Sequence, residues 1–310
     1  MLVLVAPGQG AQKPGLLTPW LDLPGVADRL AEWSAAIDLD LVRYGTEGDA
    51  EQIRDTAVAQ PLLVAASLIS TGTLLEGHDP GRVLGAVAGH SVGELAAAAT
   101  AGVLSPTDAM TLVRTRGRAM AEAAAVTETG MSAVLGGEPE SVVAHLKKLD
   151  LTPANINGAG QIVAAGTTEQ LAALNEDKPD KARVIPLKVA GAFHTAHMAP
   201  AVDAMATAVA DTKIHDPALR YVSNLDGLAV TDGQEVVRRL VNQISAPVRW
   251  DLCMETFQQL GVTALIEVCP GGTLTGLAKR ALPGVRTVAL KTPDDLEAAR
   301  ELIAEHTPTA

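Results

Sequence analysis

At 310 residues the chain is long enough to bury a full core, and a net charge of −12 argues against nucleic acid or an anionic membrane surface as its main partner. Aromatic residues make up only 2%, so alanine, leucine and valine must build the interior, a composition that favours helices packed on a buried sheet. Cys253 and Cys269 have neither metal-ligand spacing nor a disulfide framework, Met1 to Ala6 lacks the basic start of a signal peptide, and no segment reads as long enough to span a membrane; the expected setting is the cytoplasm.

Leu2 to Ala6 reads as a buried strand that opens into the glycine-rich loop Pro7-Gly8-Gln9-Gly10-Ala11-Gln12. The loop lacks the Gly-Lys-Ser/Thr ending that cradles phosphate. Its glycines would let the Gln9 amide approach and donate to an oxyanion, unless the loop merely turns. Pro19 to about Leu75 reads as helices with polar breaks, the last being the apolar Pro61 to Leu75.

The apolar run Val83 to Ala88 is followed by Gly89-His90-Ser91-Val92-Gly93 and then by the helix-forming Glu94 to Thr100. Strand, tight turn and helix together make the setting of a nucleophile elbow, in which a serine stands at a strained corner and the helix N-terminus faces any oxyanion formed there. The plainer alternative is a glycine-punctuated turn.

Ser105-Pro106 marks the start of a helix reaching about Ala125. At 100° per residue, Ala109, Leu112, Val113, Met120 and Ala123 fall on one face with Arg116 in their middle, while Arg114 and Arg118 point away. A guanidinium on a core-facing stripe needs a carboxylate, either an internal Asp or Glu or one carried by a ligand. Gly117 beside it suggests a close approach by another backbone or a ligand.

From Met131 the pattern changes. Met131 to Gly136 reads as strand, Glu138 to Leu149 as helix, Leu151 to Ile156 and Gln161 to Gly166 as strands joined at Asn157-Gly158, Thr168 to Asp177 as helix and Ala182 to Leu187 as strand. That βαββαβ order is the ferredoxin-like plan. It predicts a small domain over 129–191 inserted into a larger one formed by 1–128 and 192–310, with the substrate in the cleft between them.

Gly191-Ala192-Phe193-His194-Thr195-Ala196-His197-Met198 leads into a helix through about Val209, so that His194 either faces the cleft or serves the structure. His194 and His197 are three apart, but no third ligand has suitable spacing and no metal is expected. His78, His90, His145 and His215 show no comparable setting, and the tail from His306 onward should fray. The remainder reads as strand at Tyr221 to Asn224, helix at Gly233 to Ile244, strand at Ala264 to Val268, a turn at Pro270-Gly271-Gly272, helix to Ala281, strand at Arg286 to Leu290 and a last helix to about Glu305. The fold expected is α/β: a larger hydrolase-like domain with a mainly parallel sheet, carrying the inserted ferredoxin-like domain.

Gly8-Gln9-Gly10-Ala11-Gln12, Gly89-His90-Ser91-Val92-Gly93-Glu94, Arg116-Gly117, Gly191-Ala192-Phe193-His194 and Pro270-Gly271-Gly272-Thr273-Leu274, in this order, resemble the malonyl-CoA:acyl carrier protein transacylases of fatty-acid and polyketide synthesis. The resemblance runs from the first strand to about Leu277. It implies Ser91 as nucleophile, His194 as general acid and base, Arg116 as anchor of the malonyl carboxylate, and the Gln9 and Val92 amides as oxyanion hole. It further implies that a backbone carbonyl, by position that of Gln243, orients the imidazole where other hydrolases use an acid. Malonyl-CoA and acyl carrier protein would be the partners and no cofactor would be needed.

Phe193 and Val92 look like the malonyl version of polyketide relatives, since a ring beside the α-carbon leaves no room for a methyl; Phe193 and Met120 are the expected selectivity residues. The family commonly has Gly-Pro-Gly where this chain has Cys269-Pro270-Gly271. Lys188, Lys279 and Arg280 are candidates for steering an acidic carrier. A serine thioesterase, passing the acyl group to water, and a non-catalytic carrier-binding domain are the competing readings.

Overall fold

The computed structural model describes residues 1–189 and 191–306. The first strand, Leu2–Ala6 (β1), is buried along its whole length, as a continuous apolar run inside a parallel sheet must be. Helices Val26–Ile37 (α1), Leu41–Thr46 (α2), Thr56–Leu74 (α3) and Pro80–Val83 (α4) lead to Ala86–Gly89 (β2), Gly93–Thr100 (α5) and Pro106–Ala124 (α6). The start of α6 is set by Ser105, whose hydroxyl accepts the Asp108 N–H. Thr129–Gly136 (β3), Pro139–Lys148 (α7), Thr152–Gly158 (β4), Gln161–Thr167 (β5), Thr168–Glu176 (α8) and Ala182–Pro186 (β6) follow the βαββαβ order. After Ala199–Val209 (α9) come Arg220–Val222 (β7), Ala229–Val230 (β8), Gly233–Gln243 (α10), Val248–Arg249 (β9), Trp250–Gln259 (α11), Ala264–Glu267 (β10), Thr273–Ala281 (α12), Arg286–Ala289 (β11) and Leu296–His306 (α13).

The larger sheet has the order β11-β10-β1-β2-β7-β8, parallel except where β8 pairs with β7. Loops at the carboxyl ends of its central strands carry Gln9 after β1, Ser91 after β2 and Gly271 after β10, the end of an open α/β sheet where ligands bind. The smaller sheet has the order β6-β3-β5-β4-β9. Its first four strands pair antiparallel in the ferredoxin-like arrangement, and β9, from later in the chain, joins parallel to β4 through Asn155 and Val248.

Several elements depart from expectation for identifiable reasons. Helix α3 begins five residues before Pro61, because the Ala57 carbonyl that the proline cannot serve accepts instead from Arg114 Nη1 at 2.9 Å. At 19 residues α3 is long and apolar enough to cross a membrane by length and composition, yet it is largely buried inside the protein against neighbouring helices. Gly117 permits that packing: a Cβ there would lie 2.9 Å from the Thr56 carbonyl oxygen.

The β4–β5 turn falls at Ala159-Gly160, with φ of 49° and 73°, and not at Asn157-Gly158, because β4 runs on through Gly158 with a register shift between Ile156 and Gly158. The strand–helix pair β9–α11 had no sequence signal: the strand has two residues, and Arg249 gives the helix no side-chain cap. His306 closes α13, its ring hydrogen-bonded to Leu302 O and Thr263 Oγ1 at 2.8 and 2.9 Å; the rest of the expected frayed tail, 307–310, lies outside the described residues.

Candidate active site

The turn after β2 can be made only with glycine on either side of the serine. A Cβ on Gly89 would lie 2.0 Å from the Gly93 carbonyl carbon, and one on Gly93 would lie 2.3 Å from Ala6 O. With strand and helix this close, Ser91 is forced to φ 54°, and its hydroxyl leaves the turn toward the cleft. The Ser91 N–H is held by Asn224 Oδ1 at 2.8 Å, while Asn224 Nδ2 donates to Gly89 O at 2.8 Å.

His194 also sits at positive φ, 62°, in the turn before α9. Its Nε2 is 2.8 Å from Ser91 Oγ and its Nδ1 is 2.7 Å from the main-chain oxygen of Gln243. A carbonyl can only accept, so the neutral ring carries its proton on Nδ1 and presents the Nε2 lone pair to the serine hydroxyl. Burial, reinforced by the nearby Arg116 charge, pushes His194 down to about 3, which keeps it neutral at ordinary pH.

Arg116 is 2% exposed and comes to the same point. Its Nη1 donates to Gln60 Oε1 at 2.7 Å, and its Nη2 donates to Gln243 Oε1 at 2.9 Å and to Ser91 Oγ at 3.4 Å. Among the described residues no carboxylate lies within ion-pair distance of it. Burial lowers it to about 10, still cationic near neutrality. Of the two partners open to Arg116, the internal acid is therefore absent among the described residues.

The amides of Gln9 and Val92, one on the β1 loop and one at the start of α5, have no hydrogen-bond partner among the described residues. Ser91, His194, Gln9, Gln60, Met120 and Phe193 line a cavity of about 260 Å³, closed from the other side by Met131, Ala133, Asn155 and Asn157 of the smaller sheet. The reactive groups thus meet in a cavity between the two sheets. An adjoining cavity shares Gln9, Gly10, Leu187 and Val189 with it and is bordered by Arg54 and Lys188. Lys279 and Arg280 border neither, since α12 turns its other end, Thr273, Leu274 and Leu277, to the main cavity.

Comparison with known proteins places this geometry. The family model described as acyl transferase domain matches residues 3–294. The chain belongs to the acyl transferase family. It is 53% identical over 302 residues to the malonyl CoA-acyl carrier protein transacylase of Mycobacterium tuberculosis, an alignment covering 96% of this chain and 98% of that one. The crystal structure of MCAT from Mycobacterium tuberculosis superposes with a TM-score of 0.92, covering 97% and 99% of the two chains at 53% identity. A type II polyketide acyl-carrier protein in complex with its malonyl-transacylase contains a chain with a TM-score of 0.87 and 32% identity, over 97% of this chain and 99% of that one.

The acyl transferase site contains groups that motif reading passes over. Gln60 is a buried amide in the apolar α3, and a polar residue inside such a run was the available signal. The side chain of Gln243 contacts Arg116 in addition to the main-chain contact with His194. Glu94 is buried under the elbow, accepting from the Asn224 N–H at 2.6 Å and from Gln243 Nε2, and burial raises its carboxyl to about 8. His90, read as having no special setting, lines the cavity, bonds Asn157 Oδ1 through Nε2 at 2.8 Å and packs edge-on against Trp250 at 5.7 Å. It thereby ties the elbow to the smaller sheet.

Proposed function

We propose that the chain transfers a malonyl group from malonyl-CoA to the phosphopantetheine thiol of an acyl carrier protein through a malonyl ester of Ser91. The observation that carries this reading is the meeting at Ser91 Oγ of a neutral imidazole at 2.8 Å and a guanidinium at 3.4 Å that pairs with no carboxylate among the described residues. An activated alcohol beside an uncompensated cation suits an acyl donor that ends in a carboxylate.

His194 Nε2 takes the Ser91 proton as Oγ attacks the thioester carbonyl, and the tetrahedral oxyanion rests on the Gln9 and Val92 amides. Collapse expels the CoA thiolate, which takes the proton from His194, and the malonyl group stays on Ser91. The carrier's thiol then gives its proton to His194 and attacks the ester, and His194 returns the proton to Ser91 Oγ as the new thioester leaves. The main-chain oxygen of Gln243 stabilises the transient imidazolium and Arg116 holds the malonyl carboxylate in both halves. Phe193 and Met120 border the α-carbon and set acyl size. The reaction draws on no resident cofactor or metal, runs in the cytoplasm, and uses 1–128 with 192–310 as catalytic domain and 129–191 as the inserted wall of the cleft.

Mass spectrometry of the intact protein after mixing with malonyl-CoA tests the reading. A malonyl adduct on the wild type, absent from Ser91→Ala and discharged by carrier thiol faster than by water, is the expected result. Release of free malonate without transfer would make the chain a thioesterase instead.

A further inference from the structure

Arg116 is buried, yet among the described residues every group that accepts from its guanidinium is neutral: the amide oxygens of Gln60 and Gln243 and the Ser91 hydroxyl. A buried guanidinium is ordinarily matched by a carboxylate, because removing a fixed charge from water is costly without one. Here the acid that acts on it, Glu94, is set one residue away, behind Gln243. Burial keeps that carboxyl largely protonated near pH 7, so it too withholds its charge.

The two amides can stand only one way round. Gln243 Nε2 is met by three acceptors, Glu94 Oε2, Ser91 O at 3.1 Å and Asn224 Oδ1 at 3.2 Å, which leaves Oε1 to Arg116. Gln60 Nε2 points to Gln9 Oε1 and Met120 Sδ, each at 3.5 Å, which leaves its Oε1 to Arg116 as well. An amide oxygen orients a guanidinium through the same hydrogen bond as a carboxylate but brings no charge to cancel it.

We propose that Gln60 and Gln243 are specificity-determining residues that fix the position of Arg116 while leaving its charge uncancelled, so that the site favours an acyl group ending in a carboxylate over a neutral one. A glutamate at either position would form an internal ion pair and supply the counter-charge that the substrate otherwise brings. The advantage of a malonyl over an acetyl thioester would then disappear. This inference rests on the acyl-transfer reading and deepens it.

The test compares rates of Ser91 acylation by malonyl-CoA and acetyl-CoA, followed by intact-protein mass, in wild type, Gln60→Glu and Gln60→Met. Gln60→Glu keeps the shape and adds the charge; it should lower the malonyl-to-acetyl ratio by about tenfold or more, through slower malonylation. Gln60→Met removes the hydrogen bond without adding charge and should lower the ratio less. A Gln60→Glu ratio within about twofold of wild type, or a fall in Gln60→Met as deep as in Gln60→Glu, overturns the proposal, because orientation or bulk would then be all that matters. If Gln60→Glu does not fold, Gln60→Met decides alone: a fall of about tenfold or more in its ratio, with no charge added, overturns the proposal. A wild type without preference for malonyl would defeat the transfer reading itself, whereas a wild-type preference retained in Gln60→Glu defeats only this inference.

Discussion

The main-chain oxygen of Gln243 lies 2.7 Å from His194 Nδ1, in the place where a serine triad usually has an acid. A neutral acceptor fixes the tautomer as an Asp would, but its hydrogen bond raises the basicity of the ring too little to offset burial. Combined with burial and the Arg116 charge, this leaves His194 near 3, well under its ordinary value. Loss of the base form on acidification should therefore come far below pH 6.5. Ser91 malonylation by rapid quench should stay flat within about twofold from pH 7.5 down to 5, and His194→Ala should cost roughly 10²- to 10⁴-fold. An acid limb with its midpoint near 6.5 would show the imidazole to be solvated and the geometry misread.

Asn224 braces the elbow from below. Its side chain accepts the Ser91 N–H and donates to Gly89 O, both at 2.8 Å and both buried. Asn224→Ala leaves these two main-chain groups unpaired away from water, at roughly 1 to 3 kcal/mol each. Urea unfolding should show a lower midpoint with little change in slope, and Ser91 acylation should slow as the serine loses its fixed position. Asn224→Asp should fare no better, because it sets an oxygen against Gly89 O and a second carboxyl beside Glu94. Wild-type stability in both variants would remove Asn224 from the support of the nucleophile.

What could be read from the chain was what is local. Ser91 lies in a five-residue motif, Arg116 is found by the phase of one helix, and His194 lies in one turn. The βαββαβ order is a succession of periodicities and survives as such in β3 to β6. What escaped depends on contacts between distant positions: Arg116 with Gln60 is 56 residues apart, His90 with Asn157 is 67, and Arg116 with the Gln243 side chain is 127. Apart from the polar Gln60 standing in an apolar helix, nothing marks these glutamines in advance, and only the packing of α3, α6 and α10 around the elbow makes Gln60 and Gln243 part of the site. The family resemblance supplied the Gln243 carbonyl, but nothing in the residues themselves pointed to its side chain.

Glycine at 89 is the tightest steric requirement of the elbow. An added methyl would lie 2.0 Å from the Gly93 carbonyl carbon and 2.2 Å from the Glu94 nitrogen, both main-chain atoms that cannot swing away. Gly89→Ala must part β2 from α5, and overpacking of this kind costs roughly 1 to 3 kcal/mol or more. The variant should unfold at clearly lower urea and lose Ser91 acylation together, since the same displacement moves the serine. Gly72→Ala in α3, where φ is likewise not positive and nothing lies within 4 Å, is the control for loss of a glycine alone and should retain acylation. Equal effects in the two variants would mean that contact with α5 does not set the requirement.

Glu94 should leave its mark on the pH dependence of stability. Burial raises its carboxyl from 4.5 to about 8 in the folded protein. Between those values the folded state holds a proton that the unfolded chain has released, so this group's contribution is complete below pH 4.5 and is lost as pH rises toward 8. The limiting slope for one proton is about 1.4 kcal/mol per pH unit. His194 acts with the opposite sign but in another window, from about 3 to 6.5, where the unfolded chain takes up a proton that the buried ring refuses. Between pH 6.5 and 8 the wild type should thus lose stability as pH rises, and Glu94→Gln, which cannot ionise, should lose much less. Urea unfolding at pH 6.5, 7.25 and 8 separates the cases: parallel slopes for wild type and Glu94→Gln would mean that Glu94 is already ionised in the folded protein, and that Arg116 has its counter-charge through Gln243 after all.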